Sequence, residues 1–140
     1  MQGVETLPLR MERHCENAMA VAEHLADHPA VSWVAYPGLE SHETHDLASK
    51  YLDGGYGGMI AVGLDGGFEA AKRLCEGTEV AKFLANIGDA RTLVVHPAST
   101  THAQLSADEQ RASGVAPEMV RLSVGIENVD DIIADLEGAL

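Results

Sequence analysis

The chain is poor in cysteine, poor in lysine and without any long apolar run. Only two cysteines occur, Cys15 and Cys75, far apart and neither in a C-x-x-C pair, which excludes a disulfide framework and a zinc knuckle. A reducing compartment follows as the simpler reading, and the expected location is cytoplasmic. Basic residues number nine, three of them Lys, against 22 acidic residues, for a formal net charge of −13. Such a chain repels phosphate backbones and anionic lipid surfaces, so neither nucleic acid nor a membrane is an expected partner. The first residues, Met1-Gln2-Gly3-Val4-Glu5, lack the basic-then-apolar order of a secretion signal, and no apolar stretch approaches the length of a membrane span. Repeats, low-complexity tracts and polar linkers are missing too. What is present is 140 residues at 46% apolar content, enough for one domain over residues 1–140 with its own core. The acids are scattered, as on a solvated surface.

Apolar spacing of three and four over Leu9 to His28 (Met11, Cys15, Ala18, Val21, Ala22, Leu25) predicts an amphipathic helix that ends at His28-Pro29. Val31 to Tyr36 reads as a strand closed by Pro37-Gly38, and Ser41 as the cap of a short helix reaching Tyr51 or Leu52. After the glycine-dense turn Gly54 to Gly58, Met59 to Leu64 reads as a buried strand. Phe68 to Cys75 reads as a helix with Ala71, Leu74 and Cys75 inward, and Val80 to Leu84 as a helical turn. Thr92 to Val95 is a third strand, Ser106 with Glu109 a capping box, and Val120 to Val124 a fourth strand. Asn128 caps a last helix whose Val129, Ile132, Ile133, Leu136 and Leu140 form one stripe. The expected fold is α/β, a two-layer α+β sandwich of about four strands with helices on one side, leaving the other sheet face as a binding surface.

In the strand Val120-Arg121-Leu122-Ser123-Val124, alternation sends Arg121 and Ser123 to the face opposite the three apolar residues. By pattern alone Arg121 is either a solvent-facing strand residue or an anion receptor. A guanidinium presents a planar fork that matches a carboxylate, which is why a carboxylate ligand calls for Arg rather than Lys. His42 and His45 stand three apart and either share a metal or simply lie on the surface; no third ligand is evident nearby. Ser99 with His102 suggests nucleophilic chemistry, but no G-x-S-x-G elbow surrounds the serine, and a structured loop with hydroxyls bonded to backbone is the favoured reading. The Gly54 to Gly58 run lacks the Lys-Ser/Thr of a phosphate loop and precedes a strand, so it reads as a turn. Asn86 to Arg91 either lines a cleft or closes a turn.

Several segments together resemble the C-terminal small domain of the pyridoxal-phosphate enzymes of cysteine and methionine metabolism, the group of cystathionine γ-synthase, the cystathionine lyases and O-acetylhomoserine sulfhydrylase. They are TLPLRMERHCENA (6–18), WVAYPGLESH (33–42), KYL with GGYGGM (50–59), LANIGDARTLVVHPASTTH (84–102) and VRLSVGIENVDDIIADL (120–136). Within the group, NIGDA and HPASTTH look most like the O-acetylhomoserine sulfhydrylase branch. The resemblance implies the small domain of fold type I, covering an active site whose cofactor sits in a large domain. It implies that Arg121 binds the substrate α-carboxylate and that Asn86 lines the substrate site, at a position where relatives often carry Ser in S-L-G-G. Thr101 and His102 would be cleft neighbours.

The same resemblance implies a Schiff base between pyridoxal 5'-phosphate and a lysine of the large domain, with the phosphate held there and by a partner subunit. Lys50, Lys72 and Lys82 lie in segments unlike the Schiff-base motif, so this chain is expected to bind no cofactor covalently and to supply no catalytic residue. It is expected to be a fragment: an expressed domain, a truncated gene product or one part of a split enzyme, inactive alone. The implied function of the whole is replacement of acetate on O-acetylhomoserine by sulfide or a thiol, in a homo-oligomer. Cystathionine γ-synthase or γ-lyase, or a non-catalytic association domain, are the alternatives.

Overall fold

A computed structural model describes residues 2–140. In chain order the elements are α1 (Gln2–Glu5), α2 (Leu7–Ala26), β1 (Val31–Ala35), α3 (His45–Tyr51), β2 (Met59–Leu64), α4 (Gly67–Gly77), β3 (Lys82–Phe83), β4 (Leu93–Val95), α5 (Ala107–Ala112), β5 (Met119–Ser123) and α6 (Val129–Ala139), with a 3₁₀ turn at Pro97–Ser99. One five-stranded sheet runs in the order β1-β2-β5-β4-β3. All neighbours are antiparallel except β3 and β4, which are parallel.

The long helices α2, α4 and α6 pack together on one sheet face because their apolar stripes and one set of strand residues bury each other. Val62, Val120, Leu122, Val124 and Val94 from the sheet meet Val21, Leu25, Leu74, Ile132 and Leu136 from the helices, all essentially sealed from water. In β1, both Val31 and Val34 lie against this core although they are three apart. The register shift between Val31 and Trp33 supplies the extra residue, as a bulge does. On the opposite face Trp33 lies over Gly63, where any Cβ would overlap the indole. The helix layer on one side, with the other face free of the long helices, is as the pattern predicted.

Three expectations are corrected. The sheet has five strands rather than four, because Val80 to Leu84 forms no helical turn. Lys82 N–H donates to Thr92 O at 2.9 Å and Leu84 N–H to Val94 O at 3.3 Å, while the Asp135 carboxylate of α6 accepts from Glu79 and Ala81 N–H at 2.6 and 2.9 Å. A two-residue strand is too short for periodicity to reveal, and these partners lie elsewhere in the chain. Ser41 caps nothing: α3 starts at His45 after Thr44, and Ser41 sits in the preceding turns. Met11, placed on the inner stripe of α2, is exposed because the first two turns of that helix run past the core, which begins at His14. The Ser106–Glu109 capping box and the Asn128 cap form as read, the latter accepting from Asp130 N–H at 2.9 Å. Among the described residues no helix is long and apolar enough to cross a membrane.

Leu122 is fully buried at the centre of the sheet. Leu122→Ala is expected to cost about 3 kcal/mol in urea denaturation, whereas Leu47→Ala, on the exposed side of α3, should stay within about 0.5 kcal/mol. Equal effects at the two positions would contradict the assigned core.

Candidate functional site

Arg121 is held at the middle of β5, with Ala61 of β2 directly opposite on one side and Val95 of β4 on the other. Strand alternation puts it on the face away from the long helices, where small and apolar neighbours leave room for its stem but offer no acceptor. Its Nε is sealed from solvent and has no hydrogen-bond partner among the described residues. Among the described residues no carboxylate pairs with it. Other arginines are used locally: Arg13 pairs with Glu16 at 3.3 Å, Arg91 with Asp89 at 3.0 Å and Arg111 with Asp108, while Arg10 donates to Gly3 O and Arg73 lies exposed on α4. Arg121 is therefore a partly buried cation with unspent donors. Leaving a buried donor unmet costs on the order of 1–3 kcal/mol, a cost that an acceptor brought by a ligand removes.

Asn86 is found in the loop between β3 and β4, exposed, its Oδ1 accepting from Ile87 N–H at 2.9 Å. The loop turns at Gly88, whose positive φ of 72° suits glycine, and Gly88 N–H reaches Ser123 Oγ at 3.3 Å. Ser123 shares the face of Arg121, so the loop that carries Asn86 is brought to the arginine's strand. Asp89 then clasps Arg91 with both carboxylate oxygens, at 3.0 Å to Nε and to Nη2. The Arg91 side-chain bonds hold the Asp89 carboxyl down to about 2.

The far end of the loop is fastened by groups to which the sequence pattern assigns no role. Glu127 accepts from Thr92 N–H at 2.6 Å and from Thr92 Oγ1 at 2.9 Å, and Thr92 Oγ1 accepts from Gly125 N–H at 2.9 Å. Ile126 N–H donates to Ala90 O at 2.9 Å, and the Asn17 amide donates to Gly125 O and Glu127 O at 3.0 and 2.9 Å. Gly125 has no space for a side chain: a Cβ there would overlap Glu127 Oε2, Thr92 N and Ala90 O. His14 of α2 donates from Nδ1 to Val124 O at 2.7 Å, which secures the exit of β5 to the helix layer. The sequence signal for this buckle is only a carboxylate before a helix cap, which reads as an ordinary turn.

The remaining candidates resolve to local structure. His42 Nδ1 meets Thr44 Oγ1 at 3.1 Å, and His45 Nδ1–H donates to Pro37 O at 2.9 Å, so the two rings are engaged separately. No group of three or more His, Cys, Asp or Glu poised for a metal occurs among the described residues. Ser99 bonds to His96 Nδ1 at 2.8 Å and not to His102, whose Nδ1 meets Thr101 Oγ1 at 2.8 Å. His96 is buried, donates from Nε2 to Pro117 O at 2.8 Å and braces the loop. Gly54, Gly55 and Gly57 all take positive φ, as a turn requires. Cys75 is buried against the core, and burial, with the Glu76 charge adding to it, pushes its thiol up to about 12.

The family model of Cys/Met metabolism PLP-dependent enzymes matches residues 1–140. The chain belongs to that family. It is 53% identical over 140 residues to homocysteine synthase of Schizosaccharomyces pombe and 55% identical over 141 residues to O-acetyl-L-homoserine sulfhydrylase of Leptospira meyeri, in each case over 100% of this chain. It covers 33% of the first relative and 32% of the second, so it spans about a third of the relatives it matches. The fold is also that of a Campylobacter jejuni protein assigned as an O-acetylhomoserine (thiol)-lyase, at TM-score 0.94 and 44% identity over 99% of this chain and 33% of that one. That structure carries N'-pyridoxyl-lysine-5'-monophosphate.

The lysines of this chain do not fit the seat of that cofactor. Lys50 lies 5.1 Å from the Tyr51 ring centroid, Lys72 is 4.0 Å from the Glu76 carboxylate and Lys82 donates to Glu79 O. All three are exposed surface groups with partners close in sequence, whereas a nucleophilic lysine needs a desolvated or cationic setting that frees its amine.

Two outcomes test this geometry. An Asp89 carboxyl titration followed by ¹³C NMR should have its midpoint near about 2, and Arg91→Ala should raise it toward the ordinary value of 3.8. Because the folded-state value is the lower one, whatever the clasp contributes is present above pH about 4 and is lost as pH falls through about 2. Gly125→Ala should destabilise the chain by about 2 kcal/mol or more through steric overlap, whereas Gly138→Ala, with open space around its Cβ position, should not destabilise it; urea midpoints compare the two.

Proposed function

We propose that this chain is the C-terminal, substrate-carboxylate-binding domain of an O-acetylhomoserine sulfhydrylase, the pyridoxal-phosphate enzyme that replaces the acetate of O-acetylhomoserine with sulfide or a thiol. The observation that carries the reading is Arg121: a partly buried guanidinium with no counter-ion among the described residues, on the sheet face away from the long helices. Likeness to named sulfhydrylases over the whole chain supports the choice of substrate. The cofactor and its lysine belong to the large domain, which this domain covers, and the electron-withdrawing chemistry resides there.

The work of these residues is to bind and orient. Arg121 offers a two-pronged fork to the α-carboxylate, at a mid-strand position that neighbouring strands hold from both sides. A carboxylate fixed at two points restricts rotation of the amino acid, so the Cα proton and the acetate leaving group are presented in one orientation. Asn86, on the loop tied to the same strand, forms one wall of the substrate site. The net charge of −13 opposes an incoming carboxylate, so the attraction has to be local, and the unpaired state of Arg121 provides it.

The test is made in the complete enzyme with O-acetyl-L-homoserine and sulfide. Arg121→Ala should lower kcat/KM by roughly 100-fold or more, and Arg121→Lys should restore only part of it because charge without the fork is insufficient. An unchanged kcat/KM in Arg121→Ala would remove Arg121 from the site and the reading with it.

A further inference from the structure

We propose that Ser123 is a positioning residue of this site: its hydroxyl tethers the tip of the Asn86–Arg91 loop beside the Arg121 guanidinium. The proposal rests on the reading of Arg121 as the carboxylate receptor and deepens it. Leu84, Asn86, Ile87 and Gly88 are exposed, and the side-chain bonds within this stretch are local, Asn86 to Ile87 and Asp89 to Arg91. Both ends of the loop are secured by backbone bonds, Leu84 N–H to Val94 O and Ile126 N–H to Ala90 O. Between those ends, among the described residues, the bond from Gly88 N–H to Ser123 Oγ at 3.3 Å is the one hydrogen bond that joins the loop to the sheet.

Placement makes that bond matter for binding. Ser123 is 3% exposed and follows Arg121 by two residues on one strand, so their side chains share a face with Cα atoms about 7 Å apart. That separation is within the reach of an arginine side chain, so the loop tip and the guanidinium border the same space. With the tether made, the wall is already ordered when a carboxylate arrives. Without it, binding must order an exposed loop, and that cost reduces affinity without altering the bond-making groups.

The hydroxyl is suited to this work in a way that alanine is not and threonine is. Thr preserves the acceptor and has a high strand preference. Ser123 Oγ also lies outside the buckle of Glu127, Thr92 and Gly125, so its loss leaves the far end of the loop fastened.

Ser123→Ala, Ser123→Thr and Arg121→Ala are compared in the complete enzyme by steady-state kinetics with O-acetyl-L-homoserine and by hydrogen–deuterium exchange of the peptide spanning 84–91. Ser123→Ala should raise KM about fivefold, the scale of one net hydrogen bond, with kcat within about twofold, and should speed exchange in the loop. Ser123→Thr should return both quantities toward the parent values. If Ser123→Ala leaves KM and loop exchange at parent values while Arg121→Ala abolishes activity, the tether is wrong and the carboxylate site stands. A fall in kcat and thermal stability together, unrelieved by threonine, would make Ser123 structural and also overturn the proposal. If Arg121→Ala itself has no effect, the carboxylate site fails first and the tether with it.

Discussion

The two-faced register of β5 is the constraint on which the rest of the molecule depends. Paired antiparallel with β2 and with β4, this strand turns Val120 and Leu122 into the helix layer and Arg121 and Ser123 to the other side. A slip of one residue would exchange those sets, burying a guanidinium among Val21, Leu25 and Leu136 and turning two core side chains away from the helix layer. Hydrophobic packing against α2, α4 and α6 therefore does more than stabilise the fold. It fixes the direction in which the arginine points, and the cohesion of the core is what keeps an unpaired cation in place.

Around that strand, polar groups perform a different task from the apolar ones. The turn after β5 converges on Gly125, where Thr92, Glu127, Asn17 and Ala90 close so tightly that no side chain can enter. These bonds join α2, the start of β4 and the start of α6 at one end of the sheet. Loop 86–91 departs from this fixed point and crosses to Ser123. The proposed site would thus combine a charge on a central strand with a wall that is exposed along most of its length, an arrangement suited to a small anion. Six arginines serve a chain with 22 acids, yet at least three of them are neutralised by acids within three residues in sequence. Arg121 escapes neutralisation because its cross-strand neighbours are Ala61 and Val95, neither of which can pair with it.

Much of this was legible in the residues. Apolar spacing located the long helices, alternation separated Arg121 from its neighbours in β5, and the Ser106–Glu109 and Asn128 caps formed where hydroxyl, carboxylate and amide groups stood before helical runs. Illegible parts depended on partners distant in sequence. Strand β3 exists because β4 offers its carbonyls and Asp135 its carboxylate; nothing in Val80 to Leu84 encodes that by itself. The outward run of Met11 depends on where the core ends, which a helical period cannot report.

By itself the sequence determined the family, the one-sided layering and the identity of the residue that faces away from the core, since periodicity and local motif are properties of neighbouring residues. Tertiary structure alone decided that Arg121 has no counter-ion among the described residues, that Ser123 meets Gly88 and that Glu127 fastens Thr92. Those facts concern which groups meet after distant segments fold onto one sheet. A spacing rule can show that a guanidinium leaves the core; only the packed chain shows what awaits it there.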